Sequence, residues 1–550
     1  MKSTRLLSLA LSLLITLAGC GGGGGGSSQP PPPPPPTPIT KAEAFQFLNQ
    51  ATFGATEAEA QQVINVRYEA WIDDQMTKSP SLQLPHLMAL PRPVFLFELQ
   101  PDRVDIWFRN ALFADDQLRQ RVAFALSEIM VVSQLGALVD STYSLGDYYD
   151  VLARNAFGNY RDLIEEVTLH PSMGVYLSML GNEKPNPALN IRPDENYARE
   201  LMQLFSIGLV ELNLDGSEKL DGMGNPIPTY DQATIEAFAH VFTGWNYTGF
   251  VNFQNAYQTA TNQVLPMKLY PEFHDDGEKV LLGGTVLPAG QGGVQDLEAA
   301  LDNIFNHPNV GPFIAIRLIQ RLVTSNPSPG YVQRVASVFN DNGSGVRGDL
   351  GAVVKAILLD DEARPELPTE IDGKLKEPLL RVTQLYRAYN AESDSGRYPL
   401  LASYIFFGQG PLQSPSVFNF FSPFYSPPGE LRDNSLVAPE LEIATEYQNT
   451  LITNYFFAQT FFQNWMIDKT SPDYNDDTIL INFQEEMDVA ADVDALIDMV
   501  AGKLLGGEMS DDMRTEIKRV VEIIPADQPL FRAADAIFLT VSSPEFAYQR

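Results

Sequence analysis

The 550-residue chain has a single cysteine, Cys20, so it can form no internal disulfide and build no zinc site on thiolates. Its stability must come from core packing. Basic residues are scarce: 37 Lys and Arg stand against 69 Asp and Glu, a formal charge of −32. A field of that sign repels nucleic acid and anionic lipid, which excludes a nucleic-acid partner, while it tolerates cations and cationic ligands or simply keeps a surface protein soluble. Beyond residue 40 no apolar run approaches the roughly 20 residues that a membrane span needs. The familiar catalytic signatures are also missing: no Gly-x-Ser-x-Gly elbow, no His-Glu-x-x-His helix, no phosphate-binding Gly-rich loop ending in Lys-Ser/Thr, and no EF-hand spacing.

At the N-terminus, Lys2 and Arg5 precede an uncharged run from Leu6 to Leu17 that closes in Leu17-Ala18-Gly19-Cys20. These are the three zones of a bacterial export signal with a lipobox. Residues 1–19 are therefore expected to be a lipoprotein signal peptide and Cys20 the lipidation site. Loss of Lys2 and Arg5 with the leader takes the charge from −32 to −34. Multiple acyl chains anchor stably, so the membrane becomes a partner through the anchor and the expected location is the bacterial cell envelope. Gly21, rather than Asp, after the cysteine favours the outer membrane. Gly21 to Gly26, Ser27-Ser28-Gln29 and Pro30 to Pro36 cannot bury apolar surface. They make residues 20–39 a tether, part flexible coil and part stiff polyproline, ahead of a body at 40–550.

Within the body, Thr40-Lys41-Ala42-Glu43 and Thr56-Glu57-Ala58-Glu59 read as capping boxes. Apolar residues at steps of three and four predict helices over 115–133, 148–156, 197–207, 235–242, 310–323, 350–359, 379–388, 441–462 and 489–505. Asp349 sits where the helix at Leu350 needs a cap, which explains Arg347-Gly348-Asp349 better than an adhesion tripeptide does. Period-two alternation is scarce, apart from Lys279 to Leu287 flanking Gly283-Gly284 like a small hairpin. The expected fold is mainly α: a large multi-helix globular domain with at most a small β-hairpin. Long Pro- and Gly-rich loops fall at 181–195, 213–230, 246–292 and 406–430, and loops of that length are usually functional.

Two polar clusters stand out. In Glu195-Asn196-Tyr197-Ala198-Arg199-Glu200, four-residue spacing stacks Glu195 with Arg199 and Asn196 with Glu200, beside a buried side of Tyr197, Leu201, Leu204 and Phe205. Carboxylates locked by an arginine are one way to pre-organise a metal or substrate site, and burial of Arg199 is expected. The other is His274-Asp275-Asp276-Gly277-Glu278-Lys279. This loop suits a divalent cation, or proton transfer by His274 with Asp275 orienting it. A solvated helix face and an ordinary Asp-Gly turn explain the same letters. Trp245 is expected in the core, and the aromatic stretch from Phe406 to Phe421 packs or stacks on sugar faces.

These residues carry a resemblance to the bacterial family called domain of unknown function 1800, running from about Ala42 to the C-terminus. Its Ala-Thr-Phe-Gly-Ala-Thr is similar to Ala51 to Thr56, and its Glu-Asn-Tyr-Ala-Arg-Glu-Leu to Glu195 to Leu201. Its Thr-Gly-Trp, His-Asp-x-Gly-x-Lys and Lys-x-Pro are similar to Thr243 to Trp245, His274 to Lys279 and Lys376 to Pro378. The Gly-Gln-x-Leu-x-x-Pro-x-Val segment resembles Gly408 to Val417, with one extra residue before Leu412. Many relatives carry Arg five residues before the Trp, where this chain has His240, so an anion-holding role does not transfer to that position. The resemblance implies an exported, mostly helical protein, often encoded beside an exported phosphatase/sulfatase-like partner, and it implies no reaction.

The leading expectation is thus a surface-anchored protein whose 181–200 and 273–279 segments converge on one polar cleft that binds or acts on an extracellular polymer. In a catalytic version, Glu195, Glu200, His274 and Asp275 would supply metal ligands or bases for metal-assisted hydrolysis, and Arg199 would position an anionic group. The competing expectation is a non-catalytic envelope assembly or adhesion protein in which the same clusters brace the fold.

Overall fold

The first helix, α1 (Lys41–Ala51), begins where the sequence says it should. The Thr40 hydroxyl accepts the Glu43 amide at 3.2 Å and the Glu43 carboxylate accepts the Thr40 amide at 2.6 Å, so two free amides are satisfied reciprocally. Its buried side, with Phe45, Phe47, Leu48 and Ala51, joins a core to which helices along the rest of the chain contribute. The computed structural model describes residues 37–365, 369, 371–472 and 474–549. The expected signal peptide, Cys20 and the tether as far as residue 36 lie outside the described residues.

Residues Ile39–Arg550 form one unit, mainly helical with only tiny two-stranded sheets. The helices that place the sites discussed below are α2 (Gln117–Ser127), α3 (Asn196–Glu200), α4 (Gln232–Val241), α5 (Gly293–Phe305), α6 (Val310–Leu322) and α7 (Pro378–Ala388). Leu87, Leu96, Leu99, Ile106 and Tyr143 form a small satellite cluster. Among the described residues, no helix is long and apolar enough to cross a membrane.

The expected hairpin is present: β3 (Lys279–Val280) pairs antiparallel with β4 (Val286–Leu287). Gly283 and Gly284 take φ of 64° and 75° in its turn, a region that glycine enters without steric penalty. Two further short pairings exceed the expectation of one hairpin. They join β1 (Trp245–Asn246) to β2 (Lys268–Leu269), and β5 (Lys374–Leu375) to β6 (Tyr548–Gln549). Asp349 caps the helix Leu350–Leu359 by accepting the Ala352 amide at 3.0 Å. Trp245 is buried, whereas the aromatic stretch divides: Phe407 and Phe421 are buried and Phe406 and Phe418 exposed.

One predicted helix changes character. The run expected as a single helix over 197–207 is α-helical only as far as Glu200, then widens into a π-helix at Leu201–Ser206. The Ser206 hydroxyl donates to the Leu201 carbonyl at 2.5 Å and the Ile207 amide reaches back to the Met202 carbonyl at 2.9 Å. Such wide turns recur at functional sites.

Candidate functional site

The site is built on α4. Asp231 caps this helix by accepting the Thr234 amide at 2.9 Å, and Ile235, Phe238, Ala239 and Val241 bury its inner side. Gln232, Glu236 and His240 recur at intervals of four, so they stack along one side of the helix. The Gln232 amide donates to Glu195 at 2.8 Å and to Glu236 at 3.3 Å. At the other end His240 Nδ1 pairs with the Asp275 carboxylate. The two segments singled out in the sequence therefore flank a single polar stripe.

Backbone hydrogen bonds hold them there. The Lys184 amide donates to the Phe273 carbonyl at 2.9 Å and the Gly244 amide to the Asn182 carbonyl at 2.8 Å. Asn182 Oδ1 in turn accepts the Asp194 amide at 2.8 Å. Gly244 lies at φ 86°, and a Cβ there would come within 2.8 Å of the His274 amide nitrogen. Only glycine fits this approach.

Arg199 is paired as expected, donating to Glu195 at 3.1 Å, but its side chain is 39% exposed, which corrects the expectation of burial. Both members of the pair are about a third exposed or more, so water screens it. Glu200 is the buried member, 7% exposed, with no hydrogen bond to its Oε2. Burial pushes its carboxyl pKa up, and the charge of Arg199 offsets this only in part.

His274, expected to transfer protons, lies in the core with both ring nitrogens engaged. It is 2% exposed; Nδ1 lies 3.0 Å from the Thr243 carbonyl oxygen and Nε2 lies 3.1 Å from Asp296. Asp296 also accepts from Lys279 at 2.7 Å and from Gln291 at 3.1 Å. Lys279 donates further to the Asp275 and Gly277 carbonyls at 2.6 and 2.9 Å. His274, Lys279 and Asp296 thus form a closed, buried brace between the loop and α5.

Asp275 orients His240 instead of His274. Burial raises the Asp275 pKa, but the Gly277 amide at 2.8 Å and His240 more than offset it and hold the carboxyl below its ordinary value. The proposed metal set of Glu195, Glu200, His274 and Asp275 is not assembled: no group of three or more His, Cys, Asp or Glu among the described residues is placed to hold an ion.

His240 lines a cleft of about 450 Å³ together with Asp231, Thr234, Glu236, Glu278 and Lys279. Its side chain is 33% exposed and that of Asp275 18%. With Nδ1 fixed by Asp275, Nε2 remains to meet a ligand. An imidazole held from behind by a carboxylate has the arrangement of a general acid or base. Reasoning from sequence missed Gln232 and Glu236, although their spacing to His240 was visible, and missed Asp296, which no local pattern linked to His274.

The remaining motif residues converge elsewhere, in the core. Gln409 donates to Glu377 at 2.6 Å and to Glu128 at 3.1 Å, and Asn419 donates to Glu128 at 3.2 Å. Lys376 donates to Gln384 and to the Phe546 carbonyl, both at 2.7 Å; burial, with the charge of Arg381, pulls its pKa down to about 7. No curated protein and no solved structure matches the chain. Residues 46–548 match a family described as protein of unknown function (DUF1800), and the chain belongs to that family.

Proposed function

We propose that this protein is displayed on the cell envelope by an acylated Cys20 and binds a cationic extracellular polymer along α4, with His240 and Asp275 as an acid/base pair at one end. The observation that carries this reading is the row Gln232, Glu236 and His240, tied to Glu195 at one end and Asp275 at the other. From Gln232 to His240 is two helical turns, about 12 Å. One reacting atom cannot touch both ends, whereas a repeating ligand can. Asp231, Glu236, Asp275 and Glu278 give this face its sign, because Lys279 turns its charge inward, with a side chain only 3% exposed. An amine-bearing polysaccharide meets these requirements: its ammonium groups face the carboxylates and its hydroxyls meet Gln232 and His240.

Titration of the mature protein with chitosan oligomers, and with their fully acetylated counterparts, tests this. The amine form should bind, more weakly as salt rises, and Glu236→Gln and His240→Ala should each reduce its affinity. Equal binding of the acetylated form, or none of either, would overturn the reading. The buried brace of His274, Lys279 and Asp296 favours a purely structural role for that part of the loop, so His240 and not His274 is the group to vary.

A further inference from the structure

Arg317 and Arg321 stand one turn apart on α6 and are 8% and 4% exposed. The Arg317 guanidinium lies 4.9 Å from the Phe313 ring and 4.5 Å from the Phe424 ring, and that of Arg321 lies 4.4 Å from the Phe421 ring. Gln320, between them, donates to the Pro423 carbonyl at 3.3 Å and so pins the 421–424 turn over the helix as a roof.

A guanidinium carries five N–H donors, and a buried one is normally paired and bonded several times over. Arg317 makes one side-chain hydrogen bond, from Nη1 to the neutral Gln320 Oε1 at 3.1 Å. Arg321 makes none, and its ion-pair partner is Glu128, with Oε2 at 3.6 Å from Nε. Burial raises the Glu377 pKa, but the charges of Lys374, Arg321 and Arg121 more than offset it, so that carboxylate serves several cations at once. Lys374 holds Glu377 at 3.2 Å and Glu440 at 2.9 Å, while burial and the charge of Glu377 push the Glu128 pKa up, towards its neutral form. Arg121 adds a further buried cation, whose Nε and Nη1 have no partner. Burial and the charge of Arg321 bring the Arg317 pKa down to about 9. Arg121, Arg321 and Lys374 therefore share three carboxylates, and Arg317 bonds to none of them.

We propose that Arg317 and Arg321 form a binding site for an oxyanion group, sulfate or phosphate, free or carried on an organic molecule, held at the guanidinium edges beside the stacked Phe421 and Phe424 rings. The uncommitted edges of the two guanidinium groups present forked donors of the kind that match tetrahedral oxyanions. None of these residues belongs to the α4 stripe, so the site stands or falls independently of the polymer reading.

The test is the melting temperature of the mature protein in sodium sulfate or sodium phosphate against sodium chloride at matched ionic strength. Either oxyanion should raise it by several degrees, saturating at millimolar concentration, since a ligand of the native state stabilises by mass action. Arg317→Lys keeps the charge but loses the fork, and should weaken the apparent affinity roughly ten-fold. Arg334→Gln, which alters a surface pair with Asp360 and Glu362, should leave it unchanged. An equal rise in chloride, or an undiminished response in Arg317→Lys, would overturn the proposal. Should Arg317→Lys fail to fold, anomalous diffraction from parent crystals in selenate decides: a peak between Arg317 and Arg321 supports the site, and its absence there refutes it. A monosaccharide sulfate separates the two sources. A rise with it assigns the site to an oxyanion on an organic carrier, and a rise with inorganic sulfate alone assigns it to the free ion.

Discussion

Asp275 turns its carboxylate to the ring of His240, 35 residues earlier in the chain, and not to His274 beside it in sequence. His274 is drawn the other way, into the core, by Asp296 at 3.1 Å. Adjacent residues on an extended backbone point to opposite sides, so one of the pair turns to His240 and the other to the interior. A chemistry that seemed to belong to one loop is thereby divided between an open pair and a buried brace.

Asp275→Asn should therefore lower stability at pH 7 by about 1.5–3 kcal/mol, the worth of a charged hydrogen bond. Because the folded carboxyl titrates below its ordinary value, its contribution is fully present above the unfolded pKa, about 3.9, and is lost as pH falls through the folded one. Urea melts of parent and variant should converge in that acid window. A difference that persists unchanged through it would show that the Asp275 charge is not the stabilising element.

The brace behaves differently. Lys279 and Asp296 have side chains only 3% and 2% exposed, so removing one partner leaves a buried charge uncompensated. Lys279→Met should destabilise by roughly 3–5 kcal/mol, read from chemical denaturation. A loss below about 1 kcal/mol would place the pair in water.

What could be read from sequence was local. Thr40 with Glu43, Asp349 with Ala352 and the turn at Gly283-Gly284 all act within a few residues, and each lies where its spacing predicts. The pairing of His240 with Asp275, and of His274 with Asp296, depends on how α4 and α5 pack around the loop. No spacing along the chain encodes that. The π-helix at Leu201–Ser206 escaped for a related reason: apolar periodicity over so short a run does not separate a 3.6-residue turn from a wider one. Arg199 is exposed because the buried side of α3 does not extend over its flank.

Arg199→Ala illustrates the consequence. The pair with Glu195 has side chains 39% and 33% exposed, so its removal should change stability by less than about 1 kcal/mol. A much larger loss in a thermal or urea melt would mean that the guanidinium is enclosed in solution.

Cys20→Ser tests the anchor. The variant should take up no label in metabolic lipid labelling and remain an unprocessed precursor, because the thiol is the group that the proposed anchor acylates. Persistent lipid labelling would refute the lipoprotein assignment while leaving the α4 site untouched.

Glu200→Gln is the most discriminating single change at the family's Glu-Asn-Tyr-Ala-Arg-Glu-Leu motif. Its carboxyl is buried, its Oε2 accepts no hydrogen bond, and the nearby Tyr230 hydroxyl is equally unpartnered. Burial raises the folded pKa of Glu200 above the unfolded one, near 4.3. A raised pKa favours folding below the unfolded value and opposes it increasingly as pH climbs through the folded value. Replacing the carboxyl by an isosteric amide removes that opposing term. The variant should thus melt slightly above the parent at pH 7, and the gain should vanish about a unit or more below the unfolded pKa, where the parent carboxyl is protonated in both states. A bracing carboxylate predicts the reverse, a variant less stable at pH 7. If Glu200→Gln lowers the melting temperature at pH 7, the carboxylate has a partner in solution and the motif holds the fold together through charge.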